Sequence, residues 1–319
     1  MRFQLHTWPI ERLRKGIAVT PTGSTLPRRM LARQLRELRE HSGVSAEFAR
    51  QAIGVGKQTL WRMETGQPVR LNPLFIERLC AVYGARDDVT RALLGLAEES
   101  HRTGWWRAYG DAIPKHSDSF VGLAEAAKRI VSYQTVLLPG LLQTDAYQRA
   151  MTCVNSPTMA TTEVERRIEL FARRKARLTD AGNPLTVEAI LDECVLRRAI
   201  GGPAVMADQL DHLTRVGALP NVSVRVIPLA AAAYGGLTVG PFVLLEFPKH
   251  PTAHLTEPPI VYLQNHTSAL YLDKPDEVNQ YQQAHIDLKR SALTEPRSRA
   301  LIRKIANEYA AHTALPTAV

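Results

Sequence analysis

Two closely spaced glycine breaks constrain this chain more than any other feature. Residues 45–66 read SAEFARQAIGVGKQTLWRMETG. Ser45 is a good helix N-cap, Gly54-Val55-Gly56 interrupts the helix that follows, and Gly66 with Pro68 ends a second one. Two short helices meeting across a glycine turn have the layout of a helix-turn-helix. At about 100° per residue, Leu60 and Met63 fall on one side of the second helix, while Lys57, Gln58, Trp61 and Arg62 share the other. Lysine suits guanine O6 and N7, glutamine suits adenine N6 and N7, and arginine suits guanine or phosphate. An exposed Trp61 costs solvation unless a thymine methyl or a sugar covers it. The bland alternative is a solvated charged face on an ordinary helical domain.

The surroundings extend the pattern. Leu31, Leu35 and Leu38 form a stripe on a helix that Gly43 ends, and Asn72 is placed to cap a fourth helix with Leu79 and Val82 inside. Val89, Leu93, Leu96 and Ala97 give a fifth helix, so residues 28–102 are expected to form a small five-helix, all-α domain. Residues 1–27, punctuated by Pro9, Gly16, Pro21, Gly23 and Pro27, read as a flexible arm. Charge gathers in the same region. Residues 1–103 hold 17 basic and 10 acidic side chains, whereas residues 104–319 hold 23 and 21. A basic helical domain points to a polyanionic partner, nucleic acid ahead of membrane. Apolar runs are too short for a membrane span, and the N-terminus lacks a signal-peptide core. Cys80, Cys153 and Cys194 form no CxxC pair, which fits a reducing cytoplasm.

After Gly104 the texture changes, and residues 103–319 read as an α+β domain. Strands are expected over 185–191, 222–227, 239–247 and 260–263. Helices are expected from a capping box at Thr162 and Glu165 to about residue 178, from Pro203 onward, and over 275–293 and 296–312. Arg166, Arg167, Arg173, Arg174, Lys175 and Arg177 make one of these helices basic. Glu163–Arg167 and Glu169–Arg173 have favourable i,i+4 spacing, so a solvated, self-paired face is the expectation there.

The segment LRELREHSGVSAEFARQAIGVGKQTLWRMETG resembles the lambda-repressor-like (XRE) helix-turn-helix family, through Gly43, Ser45, Gly54 and the run Thr59-Leu60-x-Arg62-Met63-Glu64-x-Gly66. The resemblance implies that helix 57–65, Thr59 included, enters the major groove, and that Arg39 pairs with Glu64 to lock it to the first helix. Two departures touch helix 2: Ala46 stands where the family often has Gln, and Arg50 stands where it has a small Ala, with Ala49 one residue early. A one-residue shift or bulge is the expectation. Six ordered segments of the second half (GWWRAYGD, LLPGLLQTDAY, RRAIGG, PNVSVRVIPL, GPFVLLEFP and IVYLQNHTSALYL) resemble a domain of unknown function that follows XRE helices in an actinobacterial, antitoxin-like or WhiJ-like regulator family. The family's Gly-Ala-His segment is replaced here by AAAAYGGLTVGPF, so a role attached to that His does not transfer. The resemblance implies a regulator whose second domain answers to a small molecule or a small partner protein.

The function read from the sequence is sequence-specific binding of a double-stranded DNA operator. Phosphates fall to Arg28, Arg29, Arg50 and Arg70, bases to Lys57, Gln58 and Trp61, and either to Arg62. One short helix reads few base pairs, so a homodimer on two half-sites is expected. No cofactor, metal or catalytic set is expected. His250 and His254 sit among prolines in a loop, and Asp192 and Glu193 raise rather than lower the Cys194 thiol pKa. Trp105 and Trp106 read as cement at the domain junction. An antitoxin-like module with secondary DNA contact, or an enzyme fused to a DNA reader, are the alternatives.

Overall fold

The computed structural model describes residues 26–101, 104–110, 113 and 118–314. All but the last two residues of the expected arm lie outside that set. Leu26 and Pro27 instead open the first helix.

Five helices form the N-terminal unit: α1 (Leu26–Ser42), α2 (Ala46–Ala52), α3 (Lys57–Thr65), α4 (Pro73–Val82) and α5 (Asp87–His101). The predicted stripes meet in one core, where Leu31, Leu35, Leu60, Met63, Ile76, Leu79 and Leu93 are buried. Each fully buried side chain of this kind contributes about 1.5–3 kcal/mol. Asn72 caps α4 by accepting the Leu74 amide at 3.0 Å. α2 is a continuous helix capped by Ser45, and Ala49 is its buried residue. The displaced small residue therefore sets the helix's orientation without a bulge.

The second unit contains α6 (Asp118–Ala126), β1 (Arg129–Gln134), α7 (Asp145–Asn155), α8 (Thr161–Lys175), β2 (Thr186–Asp192) and α9 (Glu193–Arg197). It continues with α10 (Pro203–Val216), β3 (Val222–Ile227), α11 (Gly236–Val239), β4 (Phe242–Glu246), β5 (Ile260–Gln264), β6 (Ala269–Leu272), α12 (Pro275–Ser291) and α13 (Glu295–Ala314). The strands form one mixed sheet in the order β3-β2-β1-β4-β5-β6. β1, β2 and β3 run parallel, and β4, β5 and β6 are added antiparallel.

Alternation along the strands gives the sheet two apolar faces. Ile130, Val187, Ala189 and Leu245 meet α6, α7, α10 and α13, whereas Val131, Ile190, Leu244 and Val261 meet α12. The unit is thus a helix–sheet–helix sandwich of α+β class. Several sequence expectations need correction. β1 and β6 were not expected. Residues 236–239 form a short helix, so β4 starts later than the apolar run does. The Thr162–Glu165 capping box does not form, because α8 begins at Thr161 after an Ala160 N-cap with no side-chain bond.

Candidate nucleic-acid interface

The turn that presents α3 depends on glycine at both ends. Gly54 has φ +67 and Gly66, the C-cap of α3, has φ +70, a region that L side chains rarely adopt. Between them Leu60 and Met63 anchor α3 in the core. The opposite face is turned to water: Lys57 and Gln58 are exposed, Trp61 is 54% exposed, and Thr59 and Arg62 are half-buried. The Thr65 hydroxyl donates to the Trp61 carbonyl at 2.7 Å, tightening the last turn.

An ion pair adds to that apolar anchorage. Arg39 of α1 grips Glu64 with both arms, Nε to Oε1 at 2.7 Å and a terminal nitrogen to Oε2 at 2.9 Å. Bidentate pairs of this kind add geometric specificity as well as energy. The Tyr83 hydroxyl, from the C-cap of α4, approaches Oε1 at 3.4 Å, so α1, α3 and the end of α4 converge on one carboxylate. The bond to Glu64 holds the Arg39 guanidinium above its ordinary pKa. Burial, and then the Glu64 charge, push the Tyr83 phenol up.

The four expected phosphate contacts separate. Arg70 is exposed, and Arg50 is half-buried with Nε donating to Glu47 at 2.7 Å on its own helix. Arg28 and Arg29 have partners inside the fold. Arg28 is buried and donates to the Val69 carbonyl at 2.6 Å, with its pKa lowered by desolvation and then by the Arg107 charge. Arg29 binds Glu257 at 3.2 Å and Asp273 at 2.7 Å, both in the second unit.

Those last bonds belong to a junction that sequence reasoning missed. Leu255, in the loop before β5, is fully buried in the core of the five-helix unit. Around it, Arg33 donates to the Thr256 carbonyl at 3.0 Å and to Glu257 at 3.4 Å, and Gln34 donates to the His254 carbonyl at 3.0 Å. Glu257 is so deeply buried that desolvation raises its carboxyl pKa despite two arginine partners. Phe48 was missed as well; it stands 58% exposed in the first turn of α2. The only sequence signals were a lone apolar residue in a proline-rich loop and an aromatic on a short helix.

Residues 30–94 match a family model described as a helix-turn-helix domain. Residues 117–304, more than half of the chain, match the model of a domain of unknown function, DUF5753. The chain belongs to the DUF5753 family. No curated protein and no solved structure matches it.

Inside the DUF5753 domain the basic helix α8 keeps Arg166 and Arg173 exposed, as a solvated face would, but several of its charged residues have partners on other elements. Arg173 lies over the Trp105 ring at 4.3 Å, and Glu169 accepts the Tyr109 hydroxyl at 2.8 Å. Lys175 binds Asp145 at 2.7 Å, and Arg177 donates at 2.7 Å to each of the Ala124 and Ala127 carbonyls at the end of α6. Trp105 and Trp106 pack in a cluster with Tyr109 and with this domain's Val121 and Leu170, and no residue of the five-helix unit belongs to that cluster. Burial, followed by Asp192, pushes the Cys194 thiol up to about 11, far from a reactive thiolate. His250 bonds within its own loop, its ring nitrogen accepting the Thr252 amide at 3.0 Å. No group of three or more metal-ligating side chains occurs, and no helix is long and apolar enough to cross a membrane, both among the described residues.

Proposed function

We propose that this DUF5753 protein is a non-catalytic, sequence-specific transcription regulator of the lambda-repressor-like XRE type, acting in the cytoplasm. α3 lies in the major groove of an operator. Lys57 and Gln58 read base edges, Trp61 covers a thymine methyl or sugar, and Thr59, Arg50, Arg62 and Arg70 engage the backbone. One observation carries this reading: α3 offers donors and an exposed tryptophan to solvent while the bidentate Arg39–Glu64 pair fixes its inner side. A face held rigid yet left uncovered suits a docking surface better than a fraying helix does. α3 is nine residues long, so two copies on a two-half-site operator supply the reach that one lacks.

The DUF5753 domain acts as receiver in this scheme. Its route to the reader is the Leu255–Glu257 loop, seated directly on α1. The test is selection of bound duplexes from a random pool with the full chain, followed by salt titration. A selected motif of two related half-sites is expected, with log affinity falling by about 0.9 per neutralised phosphate for each unit of log salt. A pool that stays random, or a flat salt response, refutes the reading.

A further inference from the structure

A cavity of about 360 Å³ lies in the DUF5753 domain between the β1–β5 region of the sheet and helices α6, α7 and α8. That volume is within the range of small-molecule sites. Its walls are largely apolar and include Ile130, Leu138, Met151 and the stacked rings of Phe120 and Tyr262, 4.2 Å apart. The charged side chains among its described lining residues are Arg167 and Arg174, and no carboxylate joins them.

Arg174 is the unusual group. Its side chain is only 6% exposed, and its Nε makes no hydrogen bond. The guanidinium sits 5.8 Å from the Phe120 ring and 5.7 Å from the Phe171 ring. Glu125 approaches Nε only to 3.7 Å, beyond hydrogen-bond reach, and its carboxylate takes the Trp105 indole at 3.2 Å instead. Glu125 is not among the cavity's described lining residues. Burial accordingly lowers the Arg174 pKa and raises that of Glu125. Arg174 is thus a buried cation on the wall of an apolar chamber, its Glu125 neighbour short of hydrogen-bond contact, and an anion held in the chamber adds the partner that the guanidinium lacks.

We propose that this cavity binds a small amphipathic organic anion, its carboxylate on Arg174 and its apolar body between Phe120, Tyr262 and Met151. Ser132 and Gln134, hydrogen-bonded to each other at 2.9 Å on the cavity-facing side of β1, supply polar contacts along the floor. Tyr262 stands on β5, the strand that follows the Leu255–Glu257 loop, so an occupant has a short mechanical route to α1. The ligand's use as an effector rests on the regulator reading, whereas occupancy of the cavity does not.

The test is calorimetric titration of the full chain with octanoate and 3-phenylpropanoate, each against its neutral twin, octanol and 3-phenylpropanol. At least one carboxylate is expected to bind about tenfold or more tightly than its alcohol, as a charge-assisted bond to a buried guanidinium requires. Arg174→Met should remove that preference. Met151→Trp, which fills the chamber and leaves Arg174 in place, should weaken the carboxylate about tenfold, and it decides the matter if Arg174→Met does not fold. Equal binding of acid and alcohol, no binding of either acid to the wild-type chain, or full carboxylate binding by Met151→Trp overturns the proposal. No arm uses DNA, so failure of the operator reading leaves this result legible.

Discussion

α3 and α8 are both cationic helices, yet the fold uses them in opposite ways. α3 buries only Leu60, Met63 and Glu64 and leaves Lys57 and Gln58 facing water. α8 binds its cations into its own domain: Arg173 to an indole, Lys175 to Asp145, Arg177 to two carbonyls, and Arg174 to the cavity wall. The sequence of α8 is the more basic, but Arg173, Arg174, Lys175 and Arg177 already have partners within the domain. What marks a nucleic-acid face is therefore not the density of arginine along a helix. It is the fraction of donors left without an internal partner.

The comparison can be broken most severely at the point that fixes α3. Arg39→Ala leaves the Glu64 carboxylate buried without its partner, which should cost about 3–5 kcal/mol of reader stability. Chemical denaturation followed by helical circular dichroism measures it, and a loss below about 1 kcal/mol would show that the pair does not lock the helix. Leu255→Ala removes a fully buried side chain contributed by the other domain, at a cost of about 2–5 kcal/mol. Hydrogen exchange should then rise in α1 and α5, not only in the loop that carries the mutation. Unchanged protection in α1 would mean that the two units are energetically separate.

A third test concerns the neutralised charge of the DUF5753 domain. Glu188 bonds to His285 at 3.1 Å and Arg129 at 2.9 Å. The His285 bond first, and Arg129 with it, hold its carboxyl well below the usual carboxylate range, against the opposing effect of burial. A carboxyl depressed in the folded state contributes stability above its unfolded pKa of about 4.3, and that contribution is lost as pH falls toward the folded value. The wild-type chain should therefore lose about 2 kcal/mol more than Glu188→Gln between neutral pH and pH ~3. Parallel pH profiles for the two proteins would contradict this.

Much of the reader was legible because its signals are local. Gly54, Gly66, Ser45 and the Leu60–Met63 spacing lie within a few residues of what they control. The Arg39–Glu64 pair was available only through family resemblance, since its partners are far apart in sequence. β1 escaped notice because Ser132 and Gln134 interrupt its apolar face, and they do so where that face borders the cavity. The cavity itself is assembled from several elements between Ile113 and Gln264, so no sequence window contains it. The internal partners of Arg28 and Arg29 were hidden for the same reason: Val69, Glu257 and Asp273 reach them only through the tertiary fold.

The most direct test of the contrast is fluorescence anisotropy on one selected duplex at fixed salt, with wild type, Lys57→Ala, Gln58→Ala and Arg173→Ala. Each α3 substitution should weaken binding by about 1–3 kcal/mol and relax base preference at one position. Arg173→Ala should change it by less than about 0.5 kcal/mol, because that guanidinium is held on Trp105. Wild-type affinity in both α3 variants, or a loss confined to Arg173→Ala, would contradict the assignment of α3 as the DNA-reading helix.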